Sequence, residues 1–218
     1  MILAVDTTHE FGSLALVQQG VIVDEVSLHS PEGFGQVLFG QISRLLERQH
    51  TPLTAIDCFA AASGPGSFTG VRVGLACVKG LGEANGRLVL GVSNLQALST
   101  FGAGRRRAVI LDARRGEIYG AVYDDEACLV REETVTNLPD WLASLPNEPY
   151  DFVSPSMDFF APALAASRFA ACPRTHAPRT IAGAIGQLAE RIPGVDPAAL
   201  DANYVRRSDA ELLWRDRG

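Results

Sequence analysis

A glycine-rich segment constrains the fold of this chain more than any other part of its sequence. Residues 63–74 read Ser-Gly-Pro-Gly-Ser-Phe-Thr-Gly-Val-Arg-Val-Gly. An apolar run precedes this segment at residues 56–62, and an apolar run with helical spacing follows it at residues 71–81. Ser67 and Thr69 are residue types that cap helix N-termini well. The segment therefore predicts a buried strand, a sharp glycine turn and the first turn of a helix.

A turn of this kind can also hold an anion, because free N–H groups point outward at a helix N-terminus. The segment lacks the lysine of a P-loop and the GxGxxG pattern of a dinucleotide site. We therefore favour a structural role over a catalytic one for this segment. In that role the glycines permit a tight turn, and Arg72 forms surface or structural ion pairs. The candidate anion-binding residues come from this segment and from residues 6–8 near the start of the chain. They are Asp6, Thr7, Thr8, Gly64, Gly66, Ser67, Thr69 and Arg72.

Asp6 follows a short apolar run at the start of the chain, which predicts a buried first strand. A carboxylate at the end of such a strand is a hard oxygen ligand suited to Mg²⁺. The alternative, which we favour, is that the Asp6 side chain caps the turn that follows it.

The helix after the glycine turn carries two apolar faces. A face containing glycines allows another helix to approach closely, and the adjacent face is an ordinary core stripe. Both faces could be buried within one chain, or one could be buried against a partner. A second helix, predicted at about residues 36–48, is the candidate neighbour. The candidate partner-interface residues on the two helices are Leu38, Ile42, Leu45, Gly70, Val71, Gly74, Leu75, Cys77, Val78 and Leu81.

The pattern of the first half is partly repeated in the second. Asp6 and Asp112 each end an apolar strand that leads into a predicted hairpin, which suggests two related β-β-β-α-β-α units. A polar, glycine-bearing stretch at residues 102–107 predicts the boundary, so we expect lobes at residues 1–102 and 103–218. Helices are predicted at residues 180–191 and 209–215, and the last helix is a candidate to pack back on the first lobe.

The composition argues against several functions. The net charge of −6 does not favour a nucleic-acid module, and Lys79 is the single lysine, which leaves Schiff-base chemistry almost no candidates. The four cysteines are scattered, no HxxxH is present, and no G-x-S-x-G elbow occurs. There is no signal-peptide pattern and no apolar run of about 20 residues. We therefore expect a cytoplasmic protein with reduced thiols and no membrane segment.

Five blocks stand out in the sequence, at residues 2–8, 63–74, 91–98, 112–119 and 204–211. Together they resemble the TsaB (YeaZ) family; the glycine block and its order among the others are specific, whereas the remaining blocks are weak alone. The two-lobe pattern also resembles the ASKHA superfamily (actin-like ATPase, ribonuclease H-like), which implies an α/β fold with mixed sheets. The TsaB family commonly has a glutamate and a run of leucines after residue 30, but residues 31–35 of this chain differ, so the sequence leaves the start of the first interface helix open.

The resemblance implies a non-catalytic subunit of the bacterial tRNA threonylcarbamoyladenosine (adenosine 37) synthase. It implies pairing with the catalytic paralogue TsaD and the ATPase TsaE, a homodimer when TsaD is absent, and contact with tRNA only through the complex. It implies no tightly bound cofactor, with ATP or ADP as candidate ligands at a shared interface. Three absences agree with it: the chain lacks a Gly-Gly pair, the Asp-x-Gly phosphate turn after the first strand, where Thr8 takes the place of the glycine, and a histidine pair. The alternatives are a small ASKHA-type kinase or ATPase that uses Asp6 and the glycine loop and, third, a metallopeptidase.

Overall fold

The computed structural model describes residues 1–205. The helix predicted at residues 209–215 and most of the block at residues 204–211 lie outside the described part of the chain.

The first sheet has five strands in the order β3-β2-β1-β4-β5, with β1, β4 and β5 parallel and β1, β2 and β3 antiparallel. The first three strands form the predicted hairpin arrangement, and the strand before the glycine segment is the predicted buried one. The strands are β1 (Ile2–Asp6), β2 (Phe11–Gln18), β3 (Val21–His29), β4 (Cys58–Gly64) and β5 (Leu88–Ser93).

The second sheet repeats this plan in the order β8-β7-β6-β9-β10. Here β6, β9 and β10 are parallel, and β6, β7 and β8 are antiparallel. The predicted duplication is therefore confirmed strand by strand, although β8 and β10 were not recognised in the sequence. The strands are β6 (Arg106–Arg114), β7 (Glu117–Asp124), β8 (Leu129–Asn137), β9 (Asp151–Ser154) and β10 (Arg174–His176).

Six α-helices connect and cover the two sheets within residues 1–205. The first begins at Leu38, after a single 3-10 turn at Phe34–Gln36, which fixes the start that the sequence left open. The helices are α1 (Leu38–Arg48), α2 (Phe68–Asn85), α3 (Asn94–Ser99), α4 (Leu138–Ser144), α5 (Met157–Ala165) and α6 (Ala182–Ala189).

The helices and sheets form five layers. Helices α1 and α2 cover one face of the first sheet, and α4 and α5 cover the far face of the second. Helices α3 and α6 lie between the sheets, where apolar residues of both sheets join one continuous hydrophobic cluster. Val17, Val92, Leu111 and Tyr123 are among its members. The two lobes therefore share a core, although each has its own sheet.

Helix α6 follows the second sheet in the chain but packs on the first sheet. Its first turn is capped by side chains of that sheet. The Ser13 Oγ atom accepts hydrogen bonds from the N–H groups of Ile181 and Ala182, at 3.2 and 3.0 Å. A carboxylate oxygen of Glu25 accepts from the Gly183 N–H at 2.9 Å. The helix predicted at residues 180–191 thus begins at Ala182, with Ile181 as its N-cap residue and with caps that come from distant strands.

Candidate functional site

The glycine loop packs directly on the turn that follows β1. The N–H of Ser67 donates to the Thr8 carbonyl oxygen at 2.7 Å, and the Thr7 hydroxyl donates to the Gly70 carbonyl oxygen at 2.7 Å. Ser67 is the N-cap of α2, as predicted, and its hydroxyl oxygen accepts from the Gly70 N–H at 3.3 Å. Two N–H groups of this loop and helix start, those of Ser67 and Gly70, are thus bonded within the chain.

The glycines permit this close packing. A Cβ atom at Gly66 would lie 2.8 Å from the Thr8 carbonyl oxygen, and one at Gly70 would lie 2.0 Å from the Thr7 carbonyl oxygen. Real Cβ atoms do not approach so closely, so an alanine at either position would push the loop away from β1. Gly64 has a φ of 106°, which other residues rarely adopt.

Asp6 is fully buried at the end of β1. Its Oδ1 atom accepts hydrogen bonds from the Thr8 N–H at 2.9 Å and the Thr8 hydroxyl at 2.6 Å. This arrangement is the side-chain cap of a turn that the sequence favoured. Within residues 1–205, its Oδ2 atom has no hydrogen-bond partner. Burial raises the pKa of the Asp6 carboxyl, and the nearby His9 and the hydrogen bonds from Thr8 oppose this rise only in part.

Asn94 ties the β1 turn to the start of the glycine loop, and the sequence did not single it out. Its side-chain amide donates to the Thr8 hydroxyl at 2.5 Å, and its Oδ1 atom accepts from the Gly64 N–H at 3.1 Å. Asn94 is fully buried at the first position of α3. A buried asparagine directly after a capping serine is a signal that could have found it.

Glu133 on β8 links the second lobe to the same region. One of its carboxylate oxygens accepts hydrogen bonds from the Ser93 hydroxyl and from the Tyr123 hydroxyl, the latter at 2.5 Å. The other accepts from the side-chain amide of Asn203 at 2.6 Å. Burial and the Glu133 carboxylate raise the pKa of Tyr123, so this phenol stays protonated and donating. These contacts have no signature in the sequence, because Glu133 lies in a charged stretch.

Arg72 is exposed near the start of α2, as is Ser67 of the candidate anion-binding set. Its guanidinium lies over the Phe68 ring, 3.6 Å from the ring centre, and its Nε–H donates to the Tyr204 hydroxyl at 3.1 Å. Thr69 is also exposed in this turn. By contrast, Thr7, Thr8 and Gly64 are buried.

The predicted interface residues lie in this chain's own core. Gly74 faces β1, since a Cβ atom there would lie 2.7 Å from the Thr7 hydroxyl oxygen, and the backbone of Gly70 lies against Thr7. The glycine face is therefore approached by the β1 turn, which corrects the idea that it is open to another helix. Burial also raises the pKa of the Cys77 thiol to about 12. Apart from half-buried Leu81, the whole set is buried: Leu38, Ile42, Leu45, Gly70, Val71, Gly74, Leu75, Cys77 and Val78.

Among residues 1–205, nothing covers the opposite sides of α1 and α2, which are rich in small or apolar residues. Phe39 is 57% exposed. No atom of the described part of the chain lies within 4 Å of a Cβ atom built at Gly40 or Gly80. Both helices cover the same face of the first sheet, so these sides face outward together. We call this set the outer helix surface: Phe39, Gly40 and Ser43 of α1, and Ala76 and Gly80 of α2.

Residues 1–205 contain no group of three or more His, Cys, Asp or Glu side chains arranged to hold a metal ion. None of the helices formed by these residues combines the length and the apolar character needed to cross a membrane.

Comparison with known proteins gives a consistent result. The model of the family described as TsaD, tRNA N6-adenosine threonylcarbamoyltransferase, matches residues 32–158. The Escherichia coli "tRNA threonylcarbamoyladenosine biosynthesis protein TsaB" is 36% identical over 140 residues, 61% of this chain and 60% of that protein. The Bacillus subtilis protein of the same name is 26% identical, and the alignment covers 98% of this chain and 97% of that protein.

The fold is shared with a solved structure. YeaZ from Pseudomonas aeruginosa superposes with a TM-score of 0.72 at 26% identity, covering 93% of this chain and 98% of that one. Together with the two mixed five-stranded sheets, this likeness confirms the predicted two-lobe α/β architecture of ASKHA type.

Proposed function

Since this chain belongs to the TsaB (YeaZ) family, we propose that it acts in tRNA threonylcarbamoyladenosine biosynthesis as a non-catalytic subunit. Its partners in this proposal are the catalytic paralogue TsaD and the ATPase TsaE, and tRNA is reached only through the complex. Without TsaD, the same surface supports a homodimer.

The observation that carries the proposal is the packing of the glycine loop on the β1 turn. A phosphate group bound by the candidate anion loop would need free N–H donors and space beside the β1 turn. Here the Ser67 N–H is bonded to the Thr8 carbonyl oxygen, and the Gly70 carbonyl oxygen is bonded to the Thr7 hydroxyl. Gly66 and Gly70 bring the loop into direct contact with the β1 turn and leave no gap between them. The shared core between the sheets adds to this, because lobes joined by buried α3 and α6 resist opening around a ligand.

The outer helix surface is the proposed docking face. It combines a large exposed aromatic ring, Phe39, with glycine and alanine positions that let a partner helix come close. An interface of standard size would bury about 1,600 Å² in total. The buried residues first considered for this role act indirectly, by holding α1 and α2 against the sheet.

The docking face is tested with the Ala76→Arg variant, which places a long charged side chain in the middle of α2's exposed side. We expect the Kd for the TsaD paralogue of the same organism, measured by calorimetry, to rise at least about tenfold. The same variant should shift the isolated chain toward monomer in analytical ultracentrifugation. Gly74 is unsuitable for this test, because an arginine there would clash with β1 and disrupt the fold.

The matched control is Ala163→Arg, at an exposed position of α5 in the second lobe. It adds the same charge and bulk away from the proposed face, and its Kd should equal that of the wild type. Equal Kd values for Ala76→Arg and wild type would refute the docking face.

A kinase or ATPase activity is the competing function, and it would depend on Asp6. Nucleotide at an interface shared with TsaD is compatible with the proposal, whereas turnover by the isolated chain is not. Calorimetry and a phosphate-release assay with ATP and Mg²⁺ discriminate between them. Micromolar binding together with turnover that Asp6→Ala abolishes would overturn the non-catalytic assignment.

A further inference from the structure

Three exposed side chains form a cluster at the start of α2. The Arg72 guanidinium is stacked on Phe68, and its Nε–H is bonded to the Tyr204 hydroxyl. The Phe68 and Tyr204 rings also contact each other, with centres 5.7 Å apart. Phe68 is 43% exposed and Tyr204 is 50% exposed. We call these three residues the arginine cluster.

The segment that supplies Tyr204 is fixed at several points, and we call residues 200–205 the strap. Leu200 is buried in the core under α1 and α2. The Asn203 N–H donates to the Ser63 carbonyl oxygen at 2.8 Å, and its side chain is held by Glu133 of the second lobe. The strap therefore places the Tyr204 ring beside α2, and this ring in turn orients Arg72.

Arg72 is restrained but not neutralised by these contacts. A stacked guanidinium with its Nε–H bonded has lost much of its rotamer freedom before any ligand arrives. Within residues 1–205, its two terminal amino groups have no hydrogen-bond or salt-bridge partner. These two groups form the fork that binds a planar oxyanion in a bidentate manner.

The cluster also adjoins the outer helix surface. Arg72, Ala76 and Gly80 are spaced four residues apart on α2 and therefore lie along one side of the helix. A partner that covers Ala76 and Gly80 would reach Arg72 at the edge of the same contact. Exposed aromatic and arginine side chains are the types that contribute most to protein interfaces.

We propose that Arg72, held by Phe68 and Tyr204, binds an aspartate or glutamate carboxylate of the protein that docks on the outer helix surface. This inference rests on the proposed function and adds a specific anchor to it. A nucleic-acid phosphate is the less suitable ligand, because phosphate-backbone binding needs several cations together and the chain carries a net charge of −6. A single rigid guanidinium beside apolar small residues suits one carboxylate at a protein interface.

The test compares variants that keep or remove parts of the cluster, with the same TsaD paralogue as the probe in calorimetry. Arg72→Gln should raise the Kd about ten- to hundredfold, as expected for a lost charge-assisted hydrogen-bonded pair. Arg72→Lys keeps the charge but loses the fork, and should still raise it several-fold. Tyr204→Phe keeps the ring and loses the hydroxyl, and should have a smaller effect in the same direction.

The salt dependence of the Kd is a readout that a merely structural role of Arg72 would not change. The wild-type Kd should rise between 50 and 500 mM NaCl, and Arg72→Gln should remove most of that rise. Thermal unfolding of all three variants should match the wild type, since Arg72 and Tyr204 are exposed.

The outcomes separate the two proposals. If Ala76→Arg weakens binding but Arg72→Gln and Arg72→Lys do not, the carboxylate anchor is wrong and the docking face stands. If Arg72→Gln weakens binding of tRNA by the chain but not binding of TsaD, the ligand is a phosphate and the inference is overturned. If the wild-type chain does not bind TsaD at all, the proposed function fails and this inference fails with it.

Discussion

Replacing Ser13 by alanine removes the hydrogen-bond acceptor at the start of α6. The Ser13 Oγ atom is fully buried on β2 and accepts from two backbone N–H groups, those of Ile181 and Ala182. An alanine leaves both N–H groups buried without a partner, because the helix itself cannot bond its first N–H groups. The joint between α6 and the first sheet should weaken as a result.

The size of the effect follows from these contacts. Loss of a helix cap costs about 0.5–2 kcal/mol, and a buried polar group without a partner costs about 1–3 kcal/mol. For Ser13→Ala we expect a loss of about 2–4 kcal/mol in the free energy of unfolding. In a protein of this size, that corresponds to a fall in Tm of roughly 4–16 °C.

Ser27→Ala is the matched control, because Ser27 lies directly opposite Ser13 on β3 and is exposed. Its free energy of unfolding, measured by urea denaturation, should stay within about 0.5 kcal/mol of the wild type. Hydrogen exchange should show faster exchange at the Ile181 and Ala182 amides in Ser13→Ala alone. Equal stability of the two variants would refute the view that Ser13 anchors α6.

Two further predictions concern the β1 turn and α2. Burial places the pKa of Asp6 in the folded protein above its unfolded value, so the ionised carboxylate destabilises the fold. This destabilisation is complete above the folded pKa, and it falls away as the pH drops from the folded pKa toward the unfolded pKa. Asp6→Asn should therefore raise the free energy of unfolding at pH 8, with a smaller gain near pH 4, and a loss at pH 8 would contradict this. Gly70→Ala should lower the Tm because its Cβ would lie 2.0 Å from the Thr7 carbonyl oxygen, whereas Gly80→Ala, in open space on the same helix, should stabilise by about 0.5–1 kcal/mol. Equal Tm values for these two alanine variants would show that the loop does not need close contact with β1.

Much of the fold could be predicted from the sequence because its signals are local. The apolar runs before Asp6 and Asp112 indicated the first strand of each lobe, and the glycine segment indicated the start of α2. Edge strands give weaker signals. Strand β8 (Leu129–Asn137) is partly exposed and carries charges, and β10 (Arg174–His176) has only three residues, so neither shows a buried pattern.

The site was harder to predict because its contacts join distant parts of the chain. The glycine face of α2 was correctly recognised as a close-packing surface, but nothing local in the sequence shows that Thr7 fills it. Asn94 and Glu133 act through partners between 10 and 86 residues away, so helical or strand periodicity carries no trace of them. Helix α6 has the apolar spacing of a buried helix, which does not specify the sheet that it covers.

The position of α6 also has a consequence for how the protein is synthesised. The last strand of the first sheet ends at Ser93, but the helix that covers the inner face of that sheet begins at Ala182, roughly ninety residues later. At translation rates of about 5–20 residues per second, the ribosome needs roughly 5–18 s to make that stretch. During this interval the part of the inner face that α6 later covers stays exposed, so the nascent first lobe presents apolar surface of the kind that promotes aggregation.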